Sequence, residues 1–172
     1  MTVNYCKTPF PWFGGKADAA PAVWEAFGDV PHYVEPFAGS LAVLLRRPHT
    51  CNRPYHSETV NDLDGLLVNA WRSIQLQPDA TAEWASWPPS EVDLMARHLW
   101  LLNWRAAGNV ERLRADPDWC DPRAAGYWIW GQSCWIGSGW CSGQGPWRVG
   151  ADGRVERMAG RKEPGVKGER PH

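Results

Sequence analysis

Between His32 and Ile74 the apolar positions alternate between short extended runs and helical runs. His32-Tyr33-Val34-Glu35-Pro36-Phe37 reads as a strand that breaks at Ala38-Gly39-Ser40. The following Leu41-Ala42-Val43-Leu44-Leu45-Arg46-Arg47 reads as a helix. A polar connector from Pro48 to Pro54 leads to a second strand, His56-Ser57-Glu58-Thr59-Val60. Beyond it Leu63, Leu66, Leu67, Ala70, Trp71 and Ile74 recur at i, i+3, i+4, i+7, i+8 and i+11, the apolar stripe of a helix for which Asp62 is the expected N-cap. Residues 33–76 therefore predict βαβα, the opening of an α/β sheet.

The flanks have a different character. Pro9-Phe10-Pro11-Trp12-Phe13-Gly14-Gly15-Lys16 carries two prolines and a glycine pair, which forbid helix and central strand, and predicts an aromatic loop ending in a cation. Ala17 to Phe27 favours helix, with Pro21 near its first turn and Gly28 as its stop. Gln77 to Pro89 reads as a loop, and Ser90-Glu91-Val92-Asp93 opens a helix that runs through Trp104. A polar segment with Asp116-Pro117 and Asp121-Pro122 follows, then the stretch Ala124 to Trp135 and a Gly/Ser/Trp run from Gly137 to Trp147 that reads as a long ordered loop. Beyond Arg148 the chain is rich in glycine and charge, the pattern of a tail.

Composition narrows the class. A chain of 172 residues with 44% hydrophobic content falls in the size range of one globular domain, large enough to bury a real core. No run of 18 apolar residues exists and the N-terminus lacks a charged start and an apolar h-region, so a spanning helix and a signal peptide are not expected and a cytoplasmic location is. Five scattered cysteines point to reduced thiols, and the spacing of Cys120, Cys134 and Cys141 is poor for zinc, so no metal is expected. A net charge of -1 argues against a surface that grips nucleic acid all over, while leaving room for a local basic face. The 13 tryptophans suit a core, a base-stacking platform or a wet interface.

The strand, glycine turn and helix at Glu35-Pro36-Phe37-Ala38-Gly39-Ser40 have a chemical use. Gly39 lets backbone approach a ligand where a Cβ would clash, and a helix behind it would aim N–H groups at the bound molecule. Asp62 ends the next strand, where a doubly wound fold sends a carboxylate to ribose hydroxyls. The pair implies an adenosine-type ligand. The three-glycine pyrophosphate fingerprint of a nicotinamide enzyme is absent, so a ligand without a pyrophosphate fits better.

The opening string Pro9 to Lys16, then Tyr33-Val34-Glu35-Pro36-Phe37-Ala38-Gly39, then Val60-Asn61-Asp62-Leu63-Asp64, resembles the N-terminal half of the Dam-like adenine-specific DNA methyltransferases. The resemblance implies an incomplete Rossmann-like methyltransferase sheet, with residues 1–76 as the cofactor-binding half, and S-adenosyl-L-methionine as cofactor. It implies Trp12 and Lys16 as cofactor contacts from the opening loop, Glu35, Pro36, Phe37 and Gly39 as the turn under the cofactor, and Asp62 as the ribose carboxylate. Family members often carry a second glycine where this chain has Leu41. Residues 77–150 fall where these enzymes insert a helical target-recognition segment, which implies double-stranded DNA as partner. There Arg97, His98, Arg105, Arg112, Arg114 and Arg123 alternate with Trp100, Trp104, Trp119 and Trp128, a set that fits DNA contact or a packed core.

The family's Asp-Pro-Pro-Tyr segment, which holds the amine of a flipped adenine, is missing from the sequence. No catalytic residue is therefore assigned. Asp116-Pro117-Asp118-Trp119 and Trp87-Pro88-Pro89-Ser90 fail as substitutes on context. The expectation is an N-terminal portion of a methyltransferase, with 151–172 as a tail or truncated segment and the rest of the enzyme as a possible partner. A non-catalytic binding remnant is the alternative.

Overall fold

The computed structural model describes residues 6–48, 56–135, 140–141, 147–149 and 155–157. Its helices are α1 (Ala20–Phe27), α2 (Gly65–Leu76), α3 (Pro78–Ala85), α4 (Glu91–Ala106), α5 (Asn109–Ala115) and α6 (Pro122–Cys134). Its strands are β1 (His32–Glu35), β2 (Ser57–Val60), β3 (Trp147–Val149) and β4 (Val155–Arg157). β1 and β2 pair in parallel, with Val34 opposite Thr59 and Glu35 opposite Val60. β3 and β4 form a separate antiparallel pair, so the segment after 150 contains a strand where a tail was expected. Mixed helix and strand with a short parallel sheet is compatible with an incomplete α/β methyltransferase fold.

The small α/β unit forms from α1, β1 and the turn behind it. Pro21 sits in the first turn of α1, where its missing N–H costs nothing, and Gly28 at φ 65 closes the helix with an N–H bond to Trp24 O. Alternation in β1 turns Tyr33 and Glu35 inward and leaves His32 and Val34 outside. Trp24 stacks on Tyr33 with ring centroids 4.8 Å apart and joins Ala20 and Val43 in a small core.

The helix expected over 41–47 is not formed. Only Leu44–Arg46 makes a single 3-10 turn. The carbonyl of Val43, which a continuing α-helix would offer to Arg47, accepts Arg46 N at 3.1 Å and the Trp24 indole N–H at 2.7 Å, while Arg47 N turns to Leu44 O at 2.9 Å. Arg47 leaves the turn to reach Glu58 at 2.9 Å and the carbonyl of Val30. Leu41, at φ 55, starts the segment in the left-handed region. That conformation costs a residue with a Cβ about 1–2 kcal/mol, while burying a leucine side chain returns about 1.5–3 kcal/mol. Leu41 is buried, so the second effect can hold the first.

The larger core is helical. α6 packs against α2, α3 and α4, and Leu66, Leu67, Ala70, Leu101, Leu113, Ala124 and Trp128 are buried between them. Gly126 makes this closeness possible, because a Cβ there would lie 2.3 Å from the Trp84 Cβ. Asp121 ties three elements together: its carboxylate caps α6 at Ala124 N and accepts the Trp104 indole N–H at 2.7 Å, and its backbone exchanges two bonds with the Asn69 amide. Residues 77–89, read above as a loop, contain α3, whose Pro78 and Asp79 form a favourable first turn. Leu63 precedes α2 and is 86% exposed, so the apolar stripe begins at Leu66. The N-cap of α2 is Asp64, which accepts from Leu66 N at 3.0 Å.

Candidate functional site

The ends of β1 and β2 are joined by a short hydrogen-bonded ladder that continues past the strands. Asn61 N donates to Glu35 O and Ala38 N to Asn61 O, both at 2.9 Å, and the Asn61 side chain donates to Pro36 O at 3.2 Å. Gly39 N then donates to Asp62 Oδ2 at 3.0 Å, while Asp62 Oδ1 accepts from Asp64 N at 3.0 Å. Asp62 therefore organises two turns instead of capping α2, the reason the cap falls to Asp64. The carbonyl of Gly39 accepts the Trp71 indole N–H at 2.9 Å, which fastens the turn to α2. Gly39 has φ 52, and a Cβ there would stand 2.7 Å from Trp12 Nε1. Its bare backbone serves the approach of the opening loop as well as the turn.

That loop closes on itself through Gly15 N to Trp12 O at 3.0 Å. Trp12 lies against Trp128 and Phe10, with centroids 5.9 Å and 6.3 Å away, so the loop is anchored on the helical core. Lys16 turns the other way, donating to Phe37 O at 3.0 Å with its ammonium 3.9 Å from the Glu35 carboxylate. Glu35 is buried, and burial pushes its carboxyl above the usual glutamate range against the opposing hydrogen bond from Tyr33 and the charge of Lys16. Tyr33 donates its hydroxyl to Glu35 Oε2 at 3.2 Å, and its own phenol is raised by burial and by that neighbouring carboxylate.

Trp12, Lys16, Glu35, Pro36, Phe37, Gly39 and Asp62, spread over 51 positions of sequence, are thus one connected cluster at the C-terminal end of the two strands. Phe37 is 74% exposed and Phe13 90%, so apolar surface faces outward beside the carboxylates. An open groove of about 440 Å³ runs from Asp62 between β2 and α2, lined by Ala38, Leu41, Val60, Leu67 and Trp71 among others. A second of about 460 Å³ lies on the far side of the strand end, between Leu63, Asp64 and Arg105. Arg105 bridges Asp64 at 3.1 Å and the Cys141 carbonyl at 2.6 Å. The sequence reading missed Trp71, Tyr33 and Asp64. The indole N–H of Trp71, a polar donor inside an apolar stripe, was the available signal.

The basic and aromatic side chains of the helical region mostly serve packing. The Arg97 guanidinium lies 4.4 Å from the Tyr127 ring centroid and 4.3 Å from that of Trp130. His98 is buried and stacked on Trp135 at 5.2 Å, and burial lowers its pKa. Trp104 and Trp128 are buried; Trp104 stacks on Trp119, over which Arg112 sits at 4.3 Å. Arg123 lies outside, over Trp100 at 4.8 Å, and Arg114 pairs with Glu111 at 3.6 Å. Most of the run 137–147 is outside the described residues, except Trp140 and Cys141, which are buried, and the backbone of Trp147. Among the described residues no group of three His, Cys, Asp or Glu is arranged to hold a metal ion, and no helix is long and apolar enough to cross a membrane.

Residues 12–86 match the family of D12 class N6 adenine-specific DNA methyltransferases. The match runs from the opening loop to the end of α3, less than half of the 172 residues, and contains the whole cluster just described. It supports a relationship to adenine-specific DNA methyltransferases in general. Neither the curated proteins nor the solved structures give a match.

Proposed function

We propose that this chain carries the S-adenosyl-L-methionine-binding half of an adenine-specific DNA methyltransferase that acts in the cytoplasm on double-stranded DNA. The observation that carries the reading is the junction of Gly39 N–H with the Asp62 carboxylate at the shared end of two parallel strands. A carboxylate offers about four lone-pair positions. Gly39 and Asp64 use two at Asp62, which leaves capacity for ribose hydroxyls. Phe37 offers an exposed apolar face, and an open groove of about 440 Å³ lies beside Asp62. These residues fit an adenosine-containing ligand.

In this reading Asp62 orients the ribose, Trp12 and Gly39 shape the turn beneath the ligand, and Lys16 and Glu35 hold the turn's backbone and charge in place. The cofactor, when bound, supplies an electrophilic methyl on sulfur. Residues 77–150 would form the DNA-facing segment, with Arg114 and Arg123 the more accessible of its arginines. The Asp-Pro-Pro-Tyr segment that would hold the adenine amine is not in the sequence. Asp116-Pro117 does not replace it, because it follows α5 instead of a strand and its carboxylate accepts from Asp118 N. That absence favours one alternative, a non-catalytic remnant that binds S-adenosylmethionine or DNA.

Titration calorimetry with S-adenosylmethionine tests the binding, and methyl transfer to an adenine-containing duplex separates the two readings. Binding lost in Asp62→Ala is expected under both. Transfer of methyl to adenine requires the first; binding with no transfer leaves the second. A folded wild-type chain that does not bind would end both cofactor readings.

A further inference from the structure

We propose that Leu41 is a positioning residue for the ligand at the Gly39–Asp62 turn, holding the turn in its binding shape through a side chain buried on a left-handed backbone. The inference rests on the cofactor reading above and assigns a role to a residue outside the cofactor contacts named there. Leu41 and Cys141 are the non-glycine residues with positive φ among those described, and Leu41, at φ 55, follows Gly39 at φ 52 by two positions. Its amide donates to Ala38 O and its carbonyl accepts from Leu45 N, both at 2.9 Å, so the backbone is held on both sides. Its side chain is 8% exposed and shares the groove wall with Ala38, Asp62 and Trp71.

A glycine would meet the same φ without strain, yet it would let the turn sample other shapes. Leucine makes the left-handed geometry conditional on packing: the backbone stays there because leaving would pull the side chain out of the wall. Strain that surrounding packing over-determines is a recurrent feature of ligand clamps. Here the packed residue shares its groove wall with the two side chains that hold the turn, Asp62 on the Gly39 amide and Trp71 on the Gly39 carbonyl. Leu41 thus fixes the distance between turn and carboxylate before any ligand arrives.

The test compares S-adenosylmethionine binding by wild type, Leu41→Gly, Leu41→Ala and Leu41→Met, each titrated at a temperature where circular dichroism reports it folded. A turn that holds its competent shape about a tenth of the time lowers the apparent affinity about tenfold. Leu41→Gly and Leu41→Ala are expected to weaken binding by that factor, and Leu41→Met, which keeps the apolar volume, to restore most of it. Leu113→Ala, a core truncation in α5, is expected to lower the melting temperature and leave the affinity unchanged. Thermal melts give a second reading: Leu41→Gly should melt no lower than Leu41→Ala, the reverse of the ordinary order, because only glycine relieves the left-handed strain.

Affinity in Leu41→Gly equal to or above wild type overturns the proposal, since the side chain would then be neutral or obstructive. So does a melt of Leu41→Ala clearly above that of Leu41→Gly. Wild-type binding with unchanged Leu41→Gly binding removes only the role of Leu41, whereas no binding by wild type removes the cofactor reading and this inference with it.

Discussion

The amide of Gly39 donates to the Asp62 carboxylate at 3.0 Å across 23 positions of sequence. This bond joins the turn after the first strand to the end of the second, and the other contacts of the site are arranged around it. Trp12 occupies the space a Gly39 Cβ would need, and Trp71 holds the Gly39 carbonyl from the opposite side.

Asp62→Ala removes the acceptor of two backbone amides, those of Gly39 and Asp64. Each amide left without a partner costs about 1–3 kcal/mol where water cannot replace it. Loss of S-adenosylmethionine binding in calorimetry, with a folded circular dichroism spectrum, is the expected outcome. Gly39→Ala should destabilise by about 1–3 kcal/mol through left-handed strain and displacement of Trp12. Urea unfolding followed by tryptophan fluorescence measures it.

Glu35 should make the protein less stable as pH rises. Burial raises its carboxyl in the folded state, so between the ordinary glutamate range and the raised value the folded chain holds a proton that the unfolded chain has lost. Stability falls with rising pH through that window. Glu35→Gln should therefore gain most on wild type near neutral pH and least near pH ~4, the ordinary glutamate range, in urea midpoints measured across the range. A constant difference at all pH values would contradict the buried-carboxyl account.

His98 gives the opposite slope. Its pKa is lowered by burial, so as pH falls through the ordinary histidine value of 6.5 the unfolded chain takes up a proton that the folded chain resists. Stability is full above that value and drops below it, toward the lowered native pKa. The neighbours are Trp135 and Trp140, each at 5.2 Å, and Cys141 Sγ at 3.7 Å from Nδ1; burial also raises the Cys141 thiol, so no neighbouring thiolate offsets the histidine charge. Between pH ~7 and ~5, either side of that value, the loss of melting temperature on acidification should be smaller in His98→Phe than in wild type, the Glu35 slope being common to both.

Trp128→Ala should cost about 3–5 kcal/mol, the range for emptying a buried aromatic site. Its ring is almost fully buried and touches both Phe10 and Trp12, at 5.2 Å and 5.9 Å. The same substitution should weaken ligand binding by loosening the opening loop, although Trp128 lies 66 positions from Asp62 in sequence. Unchanged affinity in folded Trp128→Ala would show the loop to be held from elsewhere.

Local pattern made much of the cluster legible. Prolines and glycines punctuated the opening loop, short extended runs marked β1 and β2, and the motif order brought Trp12, Lys16, Glu35, Pro36, Phe37, Gly39 and Asp62 onto one candidate site. The misreadings share a cause. Leu41 to Arg47 has helical composition, but the Val43 carbonyl is shared by Arg46 N and the indole of Trp24, a partner that lies 19 positions away. Asp62 has an N-cap's chemistry, but the Gly39 and Asp64 amides take its oxygens. Gln77 to Pro89 has breakers at its ends, yet α3 forms because Gly126 lets it dock against α6.

The amino-acid sequence alone determined the two short strands, the glycine turn and the residue types of the candidate site, because these depend on local residue pattern and on backbone freedom within a few residues. Only the tertiary structure decided which hydrogen bonds those groups make, and which tryptophans fill the core. Arg97, His98, Trp104 and Trp128 could stack on bases or pack inside by composition; long-range contacts place them inside. A side chain's type states what it can bond to, and the folded chain determines which of those partners comes within reach.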